Sequence, residues 1–429
     1  MERQNLLQVG LDRDGAITRR ELLQVLTTGV TGLAGAGFLR TLGLHAEELK
    51  RQQRHCVLIF LGGAPSQLET FDPKPGTDNG GPTKAISTAS PGVEFAEYWP
   101  KLAASMNVLS VIRTIAGKEA AHERGAYHLK TGRRMGPLKA PHFGSIVAHK
   151  LGDPQAEIPN FISIGNTESS GFLGVKVAPF VIDKAGNLPA NVTAGVPPAR
   201  VDRRLKMLSQ QDSDFDRAGA SAIAKEHRSL YERATRMMTS DRLKAFQLDS
   251  ESDATKTAYG KSGFGQGCLV ARRLVESGVP FVEVQRGGWD MHDGLWKKMS
   301  STAADVDQGV ARLVADLKDR GLLDRTVVIV VGEFGRTPKI STTGADPGRD
   351  HWAKNFNLLV GGGGIKGGVC VGRTSKDGME IADHPVEVEQ FFRTLAKAMT
   401  INADEELYTP EGRPIRIVDT AEPVRELLG

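Results

Sequence analysis

Cysteine is scarce: the 429-residue chain contains three, Cys56, Cys268 and Cys370. None forms a CxxC pair or a His/Cys spacing fit for zinc, and each lies in an apolar stretch. This excludes a disulfide frame and a thiolate metal centre and reads all three as core residues. Net charge is also low, +4 from 55 basic and 51 acidic residues. The first 50 residues hold six of each sign, so the remainder keeps that +4, too little for the basic face of a nucleic-acid binder. Internal repeats are missing, and the longest uncharged apolar stretch is too diluted by Gly and Thr for a convincing spanning helix. What is present, 40% hydrophobic and 25% charged residues, is ordinary globular composition with enough length to bury a real core.

At the amino end, Thr18-Arg19-Arg20-Glu21-Leu22-Leu23 opens an uncharged run from Leu22 to Leu39 that Arg40 closes. The pattern resembles a twin-arginine export signal, so residues 1–50 are expected to be a leader and the protein periplasmic or otherwise exported. Ala34-Gly35-Ala36 is an A-x-A cleavage candidate. Cleavage and a retained anchor both stay open, and the membrane is expected to be touched only through an uncleaved leader. Export in the folded state would allow a metal to be loaded in the cytoplasm.

Residues 51–429 read as one α/β domain. Val57 to Leu61 is a first strand that opens into a loop carrying Ser66, Glu69 and Asp72, and Val108 to Ile112 is a second strand candidate. Ala120 to Arg134 reads as a helix ending at Gly132, in a region (Arg113 to Lys139) whose seven basic and two acidic residues could draw in an anion. From about 199 to 257 the chain becomes strongly charged and helical, with too few apolar residues for a core of its own, and is expected to be a helical insertion. The α/β rhythm then resumes: a helix Gly267 to Glu276, a strand Pro280 to Val284, a helix Leu295 to Arg320 and the strand Val327 to Val331. Such alternation implies parallel strands. Asn357 to Val360 is a further strand, Pro385 to Ala398 a helix, and the last ten residues a short terminal helix. Gly362-Gly363-Gly364-Ile365-Lys366-Gly367 matches G-x-G-x-x-G, but strand-like residues follow it where a dinucleotide fingerprint needs a helix, so it reads as a glycine hairpin.

Chemistry-bearing residues cluster around the strand Val327 to Val331, whose five β-branched residues predict burial on both faces and a polar tip where open sheets bind ligands. The clusters are Asp290-Met291-His292, Glu333-Phe334-Gly335-Arg336, and Arg349-Asp350-His351. Asp290 and His292, two apart in extended chain, point to one side. Carboxylate with imidazole suits zinc, manganese or iron rather than calcium. Asp290, His292, Glu333, Asp350 and His351 are therefore the expected ligands of one or two divalent ions, zinc or manganese.

The order GGWDMH, VGEFGRTP, GRDHW, together with the leader, the GGAPSQLETFDPKPG loop and the closing EGRPIRIVDTAEPVREL, resembles the domain-of-unknown-function family numbered fifteen-hundred-and-one. That family is regarded as a distant relative of sulfatases and alkaline phosphatases and as exported by the twin-arginine route. The resemblance implies an α/β sandwich, a mostly parallel sheet between helices, and hydrolysis of sulfate or phosphate esters outside the cytoplasm. A non-catalytic member that binds an anionic glycan, a lipid head group or an envelope partner is the rival. Gly62-Gly63 stands where the superfamily's first strand delivers an Asp ligand, with Glu69 or Asp72 as loop substitutes, and Phe334 replaces the imidazole of an Asp-His-Gly. Counting back nine from Thr131-Gly132-Arg133 reaches His122 in the nucleophile slot, where it would serve as base, nucleophile or further ligand. Arg336 and Arg349 would clamp a tetrahedral anion, with His128, Arg133 and Thr337 on the substrate side. An anionic small-molecule or glycan ester is the expected partner.

Overall fold

The computed structural model describes residues 53–190, 192, 195–217 and 221–429. The twin-arginine leader and its cleavage candidate lie outside these residues. In chain order the strands used below are β1 (His55–Phe60), β2 (Leu109–Ala116), β3 (Phe161–Ile164), β4 (Phe180–Ile182), β5 (Phe281–Gln285), β6 (Thr326–Val331), β7 (Gly335–Arg336), β8 (His351–Trp352), β9 (Phe356–Gly361), β10 (Cys370–Val371) and β11 (Val386–Glu387). The principal helices are α1 (His122–Thr131), α2 (Phe143–Leu151), α3 (Pro198–Arg217), α4 (Ser221–Met238), α5 (Asp253–Tyr259), α6 (Gly263–Glu276), α7 (Leu295–Asp319) and α8 (Val388–Ala398).

Nine strands form one sheet in the order β10-β2-β9-β6-β1-β5-β3-β4, with β11 also paired to β2. Every pairing is parallel except those of β9, which runs antiparallel to both β2 and β6. The exception has a local cause. Residues 332–355 contain no helix to carry the chain across a face of the sheet, so the strand that follows β6 returns beside it in the opposite direction.

All six residues of β1, β6 and β9 are buried, because helices cover both faces of the sheet. Alternation still assigns each side chain to a layer. Val57, Ile59, Val328 and Val330 pack with α6 and α7, whereas Cys56, Leu58, Val327 and Ile329 pack with α2 and α8. This is the mostly parallel sheet between helices that the sequence led one to expect. Arg54–Gly429 forms a single compact unit, and Met237, Leu243 and Phe246 from the charged helical stretch join the core on the α6–α7 face. All three cysteines are free.

Two sequence readings change. The last ten residues form only a three-residue 3-10 turn, Arg425–Leu427. The glycine run turns through three positive φ angles (69°, 60° and 89° at Gly362, Gly363 and Gly364), as a hairpin would. Yet β10 then pairs with β2 rather than with β9, so it is a loop around an intervening strand.

A buried network fixes α1 against the sheet. Glu283 of β5, fully enclosed, accepts from Lys130 at 2.8 Å and Thr167 at 2.5 Å and lies 3.1 Å from His142 Nε2. Burial alone would raise the Glu283 carboxyl, but the Lys130 charge and the His142 hydrogen bond hold it down at about 2. His55, the first residue of β1, is pushed from 6.5 to about 4 by burial, against the opposing effect of its hydrogen bond to the Val279 carbonyl. Its folded pKa lies below the unfolded one, so below pH 6.5 the unfolded chain binds a proton that the folded chain refuses. Stability should therefore fall between pH 6.5 and 4, by about 3 kcal/mol from this group. Urea titrations of wild type and His55→Gln across that range check this: the variant's pH dependence should be shallower.

Candidate metal centre

Four parallel strands, β2, β6, β1 and β5, bring their carboxyl ends to one edge of the sheet. After β1 the chain turns at Gly62-Gly63; after β5 it runs to Asp290 and His292; after β6 it delivers Glu333 and Arg336; and after β2 it leads into His122, the first residue of α1. Because β9 is antiparallel, its amino end lies at the same edge, and the short β7–β8 pairing seats His351 opposite Arg336. Antiparallel return of one strand thus brings the third motif to the first two.

The side chains converge on Asp290. His122 Nε2 lies 3.3 Å from Asp290 Oδ2, while His292 Nε2 and His351 Nε2 lie 3.1 and 3.3 Å from Oδ1. Each imidazole is oriented through its other nitrogen: His122 Nδ1 donates to Glu333 Oε1 at 2.6 Å, His292 Nδ1 to Asp350 Oδ1 at 2.7 Å, and His351 Nδ1 to the Ala120 carbonyl at 2.7 Å. These acceptors fix the Nδ1–H tautomer, so each neutral ring turns a bare Nε2 lone pair toward a carboxylate. That arrangement is repulsive unless protons or a cation lie between. Protonating all three rings beside Arg336 would crowd charge at ring separations of 4.5 and 4.7 Å. A divalent ion satisfies the Nε2 lone pairs of His122 and His351 at once, whereas His292, an expected ligand, stands outside that set. His122, Asp290 and His351 are the set whose donor atoms lie within 4.8 Å of one another.

Electrostatics support an ionised Asp290. Partial burial would raise its carboxyl, but the hydrogen bond and charge of Arg336 hold it at about 2. The hydrogen bond to Glu333 raises the His122 pKa, and the bond from His292 lowers that of Asp350. Glu333 is 5% exposed; its Oε1 also accepts the Gly63 N–H at 2.8 Å, and its Oε2 is buried without a hydrogen-bond partner.

Several expected roles move. Arg349 is fully buried, and its guanidinium is spent on Glu69 (2.9 and 2.8 Å), the Asn79 carbonyl (2.6 Å) and the carbonyls of Thr337 and Pro338. No N–H is left for an anion, so it secures the loop that carries Asp350 and His351. Arg336, 1% exposed, binds Asp290 and the carbonyls of Gly63, Ala64 and Arg349, so it holds Asp290 instead of clamping a substrate. Glu333 and Asp350 orient His122 and His292 from behind and stand outside the converging set. His128 is six residues along α1 from His122, about 240° around the helix, and its Nε2 lies 3.7 Å from Glu389. Arg133 reaches Asp419 at 2.9 Å and the Arg416 carbonyl at 2.7 Å. Thr337 receives the Asp350 N–H at 3.0 Å and so ties the second motif to the third. Glu69 and Asp72 do not replace the missing first-strand ligand: Glu69 neutralises Arg349, and Asp72 meets Lys74, Arg113 and Thr374.

Phe334 forms the wall of the site. It is 1% exposed, with its ring 5.1 Å from that of His122 and 4.8 Å from that of His351. Gly125 of α1 leaves room for it, since a Cβ there would come within 2.8 Å of the Phe334 ring. Gly63 is more than a vacant ligand position. It holds φ +109°, donates to Glu333 and accepts from Arg336, and a Cβ on it would meet the Asp290 nitrogen at 2.5 Å. The adjacent glycines were the available signal; the role of the Ala120 carbonyl had none, because any residue supplies one. Glu333→Gln should weaken divalent-metal affinity about 10- to 100-fold by loosening the His122 tautomer, measurable by calorimetric titration at unchanged fold.

The family described as Protein of unknown function (DUF1501) matches residues 53–428. The chain belongs to this family. A search of curated proteins finds no match to this DUF1501 member. Among solved structures it is similar to the PsFucS1 sulfatase from Pseudoalteromonas sp. (12% identity, 90% of this chain and 72% of the other, TM-score 0.40). It is also similar to Ps i-CgsB in complex with k-i-k-neocarrahexaose (11%, 82% and 72%, 0.39) and to the alkaline phosphatase of the Antarctic bacterium TAB5 (12%, 81% and 98%, 0.34).

Proposed function

We propose that the protein is a metal-dependent hydrolase of sulfate or phosphate esters that works outside the cytoplasm. The observation that carries the metal is the set of oriented Nε2 lone pairs around Asp290; the ester class follows from the motif resemblance. His122, Asp290 and His351 would hold the ion, zinc or manganese by the chemistry of the donors. When bound, a divalent ion supplies a Lewis acid for an ester oxygen and lowers the pKa of water. His292, 44% exposed and backed by Asp350, is placed to exchange a proton with the substrate side. An anionic glycan or small ester is the proposed partner.

A second reading has its own support. Arg336 and Arg349 are engaged internally, which removes the two expected anion clamps and favours a metal-bearing binder of an anionic glycan, lipid head group or envelope partner without turnover. Metal analysis of protein purified without chelator, followed by a panel of aryl sulfates, phosphate monoesters and diesters, separates the two. Turnover that disappears in His122→Ala supports the hydrolase; bound metal with no turnover supports the binder. Metal below stoichiometry, unchanged by His351→Ala, would sink both.

No helix among the described residues is long and apolar enough to cross a membrane. Export is proposed to depend on Arg19 and Arg20: exchanging both for Lys should strand the protein in the cytoplasm, and continued export would remove the leader assignment.

A further inference from the structure

We infer that the centre takes one divalent ion per chain and that the Arg336 guanidinium occupies the second cation's place, an inference that rests on the metal reading above. Asp290 is the only carboxylate in the converging set, and its two oxygens are divided. Oδ2 faces His122 Nε2 at 3.3 Å, whereas Oδ1 accepts from Arg336 Nη2 at 2.5 Å and also faces the Nε2 atoms of His292 and His351 at 3.1 and 3.3 Å. A carboxylate that bridged two ions would need both oxygens, and the guanidinium already holds one of them with a permanent charge.

Arg336 cannot swing aside cheaply. Its side chain is 2% exposed, and Nε, Nη1 and Nη2 also bond the carbonyls of Ala64, Arg349 and Gly63 at 2.9, 3.1 and 2.6 Å. Its backbone is fastened too, since Gln67 donates to the Arg336 carbonyl at 2.7 Å and accepts its N–H at 2.8 Å. A second divalent ion on Oδ1 would lie against this fixed cation, which has no other position to take.

Glu69, Asp72 and Glu333 do not assemble a separate second site at this end of the sheet, and Asp350 is engaged by His292 Nδ1 at 2.7 Å. Glu69 and Asp72 are both locked in buried ion pairs, and releasing either would leave Arg349, or Arg113 and Lys74, without their partner. Glu333 Oε2 is buried and unpartnered, yet the neighbouring position that could add an imidazole is Phe334, and its ring seals that side against His122 and His351. Among the described residues, no other group of three His, Cys or carboxylate ligands gathers closely enough to hold an ion.

The test is stoichiometry together with spin coupling. The full chain, stripped with chelator and titrated with Mn(II), should bind one equivalent and give the resolved hyperfine sextet of an isolated ion by electron paramagnetic resonance. Two equivalents with an exchange-coupled spectrum would overturn the single-ion inference and leave the metal reading standing. Failure to bind Mn(II) or Zn(II) in a chain whose circular dichroism is native would overturn both. His351→Ala, altered at a partly exposed side chain, should lose the single equivalent while keeping its melting profile in chelator. Retention of the equivalent would overturn the assigned ligand set.

Discussion

His351→Ala should lower divalent-metal affinity about 100-fold or more, a loss larger than the 10- to 100-fold typical of a supporting residue because a direct ligand is removed. The wild-type ring is aimed by the Ala120 carbonyl at one nitrogen and confined by the His122 and Phe334 rings, so its Nε2 is presented with little freedom left to lose on binding. Alanine leaves His122 and Asp290, two ligands where three had converged. The effect should also be visible in thermal stability. A ligand that binds only the folded state at 100 times its Kd stabilises by about 2.7 kcal/mol. Wild type should therefore melt higher with saturating metal than in chelator, and His351→Ala should show a much smaller difference at the same concentration, about 0.4 kcal/mol for a 100-fold weaker Kd. Calorimetric titration and paired melts would check this, and equal metal-induced shifts in the two proteins would contradict it.

Glu69→Gln should destabilise the fold by about 3 to 5 kcal/mol, the cost of breaking a buried ion pair from one side. Both partners are completely enclosed, and Glu69 meets Arg349 through both carboxylate oxygens while also accepting from Thr83. Glutamine keeps the shape and one acceptor but leaves the Arg349 charge uncompensated. A lower urea midpoint at unchanged slope is the expected signature. The double exchange Glu69→Leu with Arg349→Met should recover only part of the loss: no isolated charge then remains inside, but the Asn79, Thr337 and Pro338 carbonyls lose this donor. Asp350 and His351 follow Arg349 directly in the chain, so the single variant should also bind metal more weakly than wild type.

Arg349 illustrates what could not be read along the chain. Its ion-pair partner is Glu69, 280 positions away, and not the adjacent Asp350. Asp350 instead orients His292 from 58 positions away. Nothing local distinguishes an arginine facing an open site from one turned into the interior. His128 is a different case: the helix was legible, and its period already turns residue 128 away from residue 122.

The residues alone determined the layered α/β architecture and the place of the polar clusters. The β-branched run at 327–331 must be buried on both faces, and polar residues immediately after such a strand must lie at its exposed end. Tertiary structure decided which of those polar residues share a point in space. The antiparallel return of β9 brought His351 to Asp290, the Gly63 turn allowed β1 to approach the chain after β5, and backbone carbonyls engaged both arginines. These outcomes depend on strand order and on main-chain groups common to every residue type, so side-chain identity carries no record of them.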